Sequence, residues 1–409
     1  MSNYFFSFLF SDFTNFNIVI FYVLFSVARS LRIKNFKCFN DKTVNFRNLT
    51  VLAGGNGAGK STVIQSILLF AQNINRSNLD NLPKILNLNN YFCNLGSSNR
   101  LEHHSSNSEI FEFEFRDKNM NSVHFYLSKD SNDTNILNII DVFDLKQKDS
   151  KYGALSFLEY FDFIGADRFG PKSFHQIDSN FSRISVGKMG EYTGLILNNN
   201  KLKSLEKING RLISNVNTYL SEIFGDIQVD TIFNEEAGIA ILKIKNHKNG
   251  EYENPVSMPY GISYLLPIIV SCLVRLISKN ELFENYASHE DENEVVIIEN
   301  PEAHLHPSAQ SKLGYFLAKM SNHIQIIIET HSEHIINGIR LATLENDINK
   351  NEILINFFNS NEDNLEPNIK EILIDKFSDL TDWPRGFFDQ QAMDIGKIYQ
   401  ERAKRNAKN

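Results

Sequence analysis

The sequence predicts an α/β protein with a mainly parallel central sheet, an antiparallel N-terminal β subdomain, an inserted middle region and a small C-terminal cap. The parallel sheet is predicted by the short apolar runs VVIIE (295–299) and IQIIIE (324–329), each followed by a segment whose apolar residues recur at helical spacing. Such alternation is typical of parallel strands covered on both faces by helices. The alternating residues of EIFEFEF and VHFYL predict an antiparallel hairpin.

The remaining elements can be predicted in chain order. LRIKNFKCF and KTVNF indicate two strands, NLTVLAG indicates a third that runs into glycines, and VIQSILLFAQ follows with helical spacing. In the middle region we predict a helix at LEKINGRLISNVNTYLSEIF and strands at IQVDTIF and GIAILKIK, with no lasting heptad repeat. Three further helices are predicted at ISYLLPIIVSCLVRLI, PSAQSKLGYFLAKM and EHIINGIRLATL.

These patterns divide the chain into five regions. They are an apolar leader (1–28), a first lobe (29–150), a middle region (151–255), a second lobe (256–359) and a small C-terminal domain (360–409). The leader is interrupted by Asp12, and its clean apolar run is too short to span a bilayer comfortably. The leader has two interpretations, a membrane-surface anchor and an incorrectly assigned translation start, and we favour the second.

Composition narrows the class of protein. The chain has 409 residues, of which 42% are hydrophobic and 22% are charged, as is ordinary for globular proteins. A net charge of -8 argues against a uniformly basic nucleic-acid binder. The three cysteines are Cys38, Cys93 and Cys272, and they form no Cys-x-x-Cys pair. A disulfide framework is therefore not expected, and we predict a cytoplasmic protein that does not enter the membrane.

The glycine-rich stretch between the third strand and its helix matches the phosphate-binding loop Gly-x-x-x-x-Gly-Lys-Ser. Its glycines let backbone N–H groups surround phosphate oxygens, a lysine reaches the outer phosphates, and a serine hydroxyl can bind Mg²⁺. The predicted nucleotide-binding residues are Gly54, Gly55, Asn56, Gly57, Ala58, Gly59, Lys60, Ser61 and Thr62. Ser61 is the predicted direct magnesium ligand.

Two polar side chains follow the apolar strands of the predicted parallel sheet. Glu299 ends VVIIE, and we expect it to hold Mg²⁺ through a water molecule. His331 follows IQIIIE and would lie at the same edge of the sheet. His103 and His104 lie in a polar segment and are predicted to be surface residues.

Several motifs together carry a resemblance to a known family. NFKCF, VNFRNLTVLAGGNGAGKST, IIENPEAHLHP and IIIETHSEHIINGIR resemble the ABC-type P-loop ATPases of the RecF, SMC and OLD group. With ADRFGP, GEYTG, YGISYLLP and DWPRGFFDQ, the chain is similar to predicted prokaryotic AAA ATPases that carry a short C-terminal domain of unknown function. The resemblance covers residues 31–394 and implies the fold of an ABC-type NTPase head.

The resemblance also implies roles for single residues. Lys60, Ser61 and Thr62 fall in the Walker A motif, and Glu299 falls at the Walker B carboxylate. His331 matches the switch histidine that senses the γ-phosphate. Gly261 and Ser263 lie where the family has its signature segment, which would point toward the ATP of a partner subunit.

Asn300 departs from the family pattern. It occupies the position of the catalytic glutamate, and an amide cannot accept a proton as a general base. Either Glu302 acts on the attacking water, or hydrolysis is slow and ATP serves mainly as a clamp. We favour Glu302 and list the catalytic residues as Glu302, Glu299 and His331.

His304 and His306 offer an alternative interpretation of the same segment. A zinc site needs a third protein ligand, which the sequence does not identify, so we favour subunit-interface residues beside ATP. A self-contained metal nuclease is disfavoured in the same way, because the segment after His331 is too short for the nuclease domain of OLD-type relatives.

The resemblance implies a Mg²⁺- and ATP-dependent conformational switch that dimerises, or forms a higher oligomer, on binding ATP. It implies a role in a DNA transaction, either antiviral defence or DNA repair, beside an effector such as a nuclease. The alternative is an ATP-binding scaffold with little hydrolysis that assembles a partner nuclease. Turnover of ATP distinguishes the two.

Overall fold

The computed structural model describes most of the chain from Ala28 onward. The described residues are 28–74, 82–145, 155, 158, 161–172, 174–176, 185–197, 209–234, 236–246, 250–254, 256, 259–285, 294–361 and 364–406. The prediction about the apolar leader lies outside them, apart from Ala28. No helix in these ranges is long and apolar enough to cross a membrane.

The strands are β1 (Ala28–Phe36), β2 (Phe39–Asn45), β3 (Leu49–Gly54), β4 (Ile85–Asn87), β5 (Ile110–Asp117), β6 (Ser122–Lys129), β7 (Ile136–Leu145), β8 (Phe161–Ile164), β9 (His175–Gln176), β10 (Gln228–Asn234), β11 (Ile239–Lys245), β12 (Val295–Glu299), β13 (Gln325–Glu329), β14 (Ile353–Asn361) and β15 (Asn364–Ile372). The helices are α1 (Lys60–Ala71), α2 (Thr193–Leu197), α3 (Asn209–Phe224), α4 (Tyr260–Asn285), α5 (Pro307–Met320), α6 (Glu333–Leu344) and α7 (Gln390–Asn406).

The first sheet is the predicted antiparallel subdomain. Its six strands follow the order β2-β1-β5-β6-β7-β4, and each neighbouring pair is antiparallel. The alternation in β5 places Phe111, Phe113 and Phe115 in the core, while Glu112 and Glu114 lie on the other face. Phe70 of α1 packs against this aromatic layer, so the helix after the glycine loop joins the first lobe to the central sheet.

The central sheet is mainly parallel, as the sequence predicted. Its order is β15-β14-β3-β13-β12-β8, and only the β14–β15 pair is antiparallel. Successive residues of β12 enter two different hydrophobic cores: Val295 and Ile297 pack with α1 and the first sheet, while Val296 and Ile298 pack with α4, α5 and α6. The strand is therefore buried on both faces and carries no alternating polar pattern.

The middle region contains α2, α3 and a small sheet of order β10-β11-β9. Leu212, Val216, Leu220 and Ile223 form the buried stripe of α3, at the spacing of an amphipathic helix. This stripe joins the core beneath α4 and α5. The predicted helix is present from Asn209, and the first part of its predicted segment lies outside the described residues.

The C-terminal segment is continuous with the central sheet. The boundary predicted between residues 359 and 360 falls inside β14, which pairs in parallel with β3. Phe387 is buried against Phe357 of β14, so the aromatic motif packs into the core of the sheet rather than into a core of its own. Trp383 contacts Phe387 but is half exposed.

Candidate functional site

The phosphate loop connects the end of β3 to the start of α1, as predicted. Gly54 has a φ of 138°, and a Cβ atom there would overlap the carbonyl oxygen of Phe358. Gly59 has a φ of 98°, and a Cβ atom there would lie 2.9 Å from Cζ of Phe39 and 3.0 Å from Sγ of Cys38. Only glycine fits these two positions, because backbone conformation and space both exclude a side chain.

Lys60 is folded back onto the loop. Its side chain is 3% exposed, and its Nζ donates to the carbonyl oxygens of Gly54 at 3.1 Å and Gly55 at 2.8 Å. The same Nζ lies 3.7 Å from Oε1 of Glu329. Burial lowers the pKa of Lys60, and the negative charges of Glu329 and Glu302 oppose that shift. Two backbone carbonyls and one carboxylate thus occupy the ammonium group that would otherwise bind a phosphate.

Glu329 lies next to Ser61, the predicted magnesium ligand. The Oγ of Ser61 donates to its two carboxylate oxygens at 3.2 and 3.3 Å. Glu329 was not among the predicted site residues, although it carries the same signal as Glu299, a carboxylate at the end of an apolar strand. Glu299 and Glu329 are directly paired in the register of β12 and β13, so two carboxylates lie side by side at the edge of the sheet.

Glu299 contacts the segment that follows β8. Its Oε2 accepts a hydrogen bond from the backbone N–H of Ala166 at 3.3 Å, and the carboxylate lying against Ser61 is that of Glu329. Burial and the neighbouring charge of Glu329 raise the pKa of Glu299 to about 7. The folded protein therefore favours the protonated form of Glu299 more than water does.

Asn300 adopts a left-handed conformation, with a φ of 45°. Its N–H donates to the carbonyl oxygen of Glu329 at 2.8 Å. Arg168, which is 3% exposed, donates to the carbonyl oxygens of Glu299 at 2.7 Å, Asn300 at 2.6 Å and Gly165 at 2.9 Å. Asparagine tolerates this conformation better than glutamate does, so the local backbone favours the amide at this position.

Arg168 belongs to the ADRFGP motif, and it was not a predicted site residue. Its guanidinium lies 5.2 Å from the centre of the Tyr264 ring, in the first turn of α4. Burial lowers the pKa of Arg168 to about 10. This buried arginine binds backbone carbonyls at the ends of β8 and β12 and lies over the Tyr264 ring of α4, so it physically connects the ADRFGP, YGISYLLP and ENPEAHLHP motifs.

Glu302 is tied to the segment that follows β13. Its Oε2 accepts from the hydroxyl of Thr330 at 2.7 Å, and its Oε1 accepts from the backbone N–H of His331 at 2.7 Å. The structure thus brings together Glu302 and His331, two of the three predicted catalytic residues. Glu302 is also close enough to affect the pKa of Lys60.

The signature-like residues lie at the start of α4, against the turn that follows β12. A Cβ atom at Gly261 would lie 2.7 Å from the carbonyl oxygen of His304, which explains the glycine. The His304 ring packs 4.5 Å from that of Tyr264. Ser263 is 9% exposed, and its hydroxyl has no hydrogen-bond partner among the described residues.

The paired histidines have structural roles in this arrangement. Nδ1 of His306 accepts from the N–H of Ser308 at 3.4 Å and caps α5, and His304 packs on Tyr264. Within the described residues, no three His, Cys, Asp or Glu side chains are grouped to hold a metal. The prediction for His103 was wrong: it is 4% exposed, because its N–H is bound by the buried side chain of Asn35.

Comparisons with solved structures give distant similarities. The SMC head domain from Thermotoga maritima is 14% identical, with a TM-score of 0.40, and the match covers 84% of this chain and 98% of that one. The SMC head bound to the C-winged helix domain of ScpA is 13% identical, with a TM-score of 0.48 and coverage of 85% and 98%. An SMC head with an extended coiled coil, bound to the C-terminal domain of ScpA derived from Pyrococcus furiosus, is 11% identical, with a TM-score of 0.48 and coverage of 92% and 100%.

Two family models match the sequence. Residues 348–398 match a family described as a protein of unknown function, DUF3696. Residues 49–337 match a family described as AAA domain, putative AbiEii toxin, type IV TA system. No curated protein matches the chain. Because the second model extends over more than half of the sequence and includes the phosphate loop and both strand-end carboxylates, the protein belongs to this AAA domain family.

Proposed function

We propose that this protein binds and hydrolyses ATP with Mg²⁺ and works as a dimeric conformational switch. The observation that supports this most directly is the cluster of Lys60, Ser61 and Glu329 where β3, α1 and β13 meet. A lysine, a hydroxyl and a carboxylate at the end of parallel strands are the groups that a nucleoside triphosphate with its cation requires. Membership of a P-loop ATPase family supports the same conclusion.

The residues around Ser61 fit a magnesium ion. Mg²⁺ prefers oxygen ligands and retains several water molecules. The Ser61 hydroxyl lies against the carboxylate of Glu329, and Glu299 is the residue paired with Glu329 in the neighbouring strand. We assign direct binding to Ser61 and binding through water to the two glutamates. When bound, the ion supplies positive charge to the phosphate oxygens. We add Glu329 to the predicted set because its carboxylate accepts from the Ser61 hydroxyl.

Glu302 is the proposed acceptor of the proton from the attacking water, because Asn300 cannot accept one. The two hydrogen bonds from Thr330 and His331 hold the Glu302 carboxylate at the edge where the outer phosphate would lie. The same bonds allow a second role, in which Glu302 positions His331. A measured loss of turnover with intact ATP binding supports either role in catalysis.

We propose that two subunits contact each other at the start of α4. The buried hydroxyl of Ser263 has no partner in the described part of the chain, and the helix N-terminus there favours an anion. In a dimer, this segment would contact the ATP of the partner. A DNA transaction in defence or repair, with a nuclease as the effector, remains a proposal that rests on the family alone.

The test compares ATP binding and steady-state turnover in the full chain. Lys60→Ala should abolish binding or turnover, because no other amine in the loop can replace it. Lys245→Ala, on the remote strand β11, is the control and should leave both unchanged. If the unaltered protein binds ATP but shows no turnover with or without DNA, the scaffold alternative is favoured. If it binds no ATP, the proposed function is wrong.

A further inference from the structure

We propose that the C-terminal hairpin, β14 and β15, is a working part of the nucleotide site, and that Glu366 is the residue through which it acts. Glu366 positions the turn between β1 and β2, which in turn supports the last residues of the phosphate loop. This inference rests on the proposed nucleotide binding, and it assigns a role to a segment whose family is described only as of unknown function.

The β1–β2 turn, residues 36–42, packs against the phosphate loop and α1. The ring of Phe39 is fully buried beneath Gly59, and Sγ of Cys38 lies 3.5 Å from Oγ1 of Thr62. Nζ of Lys37 donates to Oε1 of Gln65 at 2.5 Å. Any displacement of this turn therefore changes the space in which Gly59 and the start of α1 are held.

Glu366 holds the turn from the opposite side. Its Oε1 accepts from the backbone N–H groups of Asn40 at 2.8 Å and Asp41 at 3.1 Å, and its Oε2 lies 3.5 Å from Nζ of Lys42. Hydrogen bonds from backbone N–H groups to an ionised carboxylate are among the stronger ones in proteins. The turn includes Lys37 in a left-handed conformation, with a φ of 55°, which requires support from its surroundings.

The hairpin also touches the first glycine of the loop. β14 runs parallel to β3, with Phe358 paired to Gly54, and the carbonyl oxygen of Phe358 occupies the space of a side chain at Gly54. The two strands of one hairpin therefore bear on both ends of the phosphate loop: β14 directly at Gly54, and β15 at Gly59 through Glu366 and the turn. A separate, appended domain would not have this geometry.

The same strand offers a matched control. Oε1 of Glu371 accepts from Nδ2 of Asn45 at 2.6 Å, so it also connects β15 to β2, but at the end remote from the turn. Glu366→Ala and Glu371→Ala each remove one carboxylate from the same strand pair. They should lower the melting temperature by similar amounts, while only the first releases the turn.

The experiment uses the full chain and two measurements. The first is the affinity for a fluorescent ATP analogue with Mg²⁺, which we expect to fall roughly three- to tenfold in Glu366→Ala, to fall less in Glu366→Gln, and to stay unchanged in Glu371→Ala. The second is the reaction rate of Cys38 with a thiol reagent, identified by its loss in Cys38→Ser. This rate should rise more in Glu366→Ala, where the turn is released, than in Glu366→Gln, which loses the same negative charge near Cys38 but keeps an acceptor for the turn.

The outcomes separate this inference from the proposed function. If the unaltered protein binds the analogue and Glu366→Ala binds it equally well, or if Glu371→Ala weakens binding to the same degree, the inference is overturned and nucleotide binding stands. If the unaltered protein does not bind the analogue, the proposed function fails, and the inference fails with it.

Discussion

Glu302 and Glu329 lie within reach of the buried Lys60 at the end of the central sheet, and Glu299 lies beside Glu329. Such a concentration of negative charge is costly without a cation, because burial strengthens the repulsion between carboxylates. The raised pKa of Glu299 is one expression of this cost. The cost is consistent with a site completed by Mg²⁺, and it can be measured in the absence of nucleotide.

The stability of the nucleotide-free protein should fall as pH rises, owing to Glu299. Its folded-state pKa of about 7 lies above the ordinary value of 4.5, so the folded chain holds this proton over a pH range where the unfolded chain has released it. Glu299→Gln should therefore raise the free energy of unfolding by roughly 1 to 3 kcal/mol at pH 8, and by clearly less at pH 5. Urea unfolding at the two pH values measures this, and an equal change at both would contradict it.

Glu302→Gln should lower the turnover of ATP at least tenfold without weakening ATP binding. The substitution keeps the size of the side chain but removes its ability to accept a proton, a role typically worth two or more orders of magnitude. Glu333→Gln is the control, because Glu333 also lies beside His331, in the first turn of α6. Unchanged turnover in Glu302→Gln would exclude Glu302 as the base.

At the scale of elements, the turn after β12 is shaped by groups from other parts of the chain. Arg168 fixes the carbonyl groups of Glu299 and Asn300, and the contact between the Tyr264 and His304 rings supports the residues that follow. The sequence predicts the strand and the following helix, because their periodicity is local. It does not predict the left-handed Asn300, since that conformation depends on a guanidinium more than a hundred residues earlier.

Arg168→Lys should reduce turnover about tenfold or more while leaving ATP affinity within about twofold. An ammonium group cannot span three carbonyl oxygens as the planar guanidinium does, so the turn that carries Asn300 and Glu302 loses its support. Arg47→Lys is the matched control: Arg47 also donates to two backbone carbonyls, of Asn351 and Ile353, but at the other end of the sheet. Equal losses in both variants would show a general effect on folding.

At the scale of the whole molecule, the features that the sequence predicts are formed by residues close together along the chain. The features that it does not predict depend on residues far apart. The phosphate loop, the parallel strands and the antiparallel subdomain follow from local patterns, and the structure confirms this fold. The contact between Glu366 and the turn at Asn40 joins residues 326 positions apart, and no periodicity reports it. Glu329 carried a readable signal, but two strands ended in glutamate, and only their order in the sheet shows which one adjoins β3.

The sheet order also bears on assembly. β13 lies between β3 and β12, so the phosphate loop, the strand-end carboxylates and the turn after β12 lie at the same edge of the sheet. The start of α4 packs against that turn. Tyr260, the first residue of α4, is 58% exposed there. In a dimer formed through this edge, each nucleotide would lie between the phosphate loop of one subunit and the start of α4 of the other.

Addition of ATP and Mg²⁺ should therefore double the mass measured by light scattering. Tyr260→Asp should prevent this increase, because a carboxylate at the start of α4 would face the phosphates bound to the partner. Phe377→Asp is the control: Phe377 is a similarly exposed aromatic residue, at 66%, on the C-terminal turn. Lys60→Ala should stay monomeric because it lacks the nucleotide. A dimer that forms equally in Tyr260→Asp, or without ATP, would place the contact between subunits elsewhere, since only an interface at this edge depends on both the helix start and the bound phosphate.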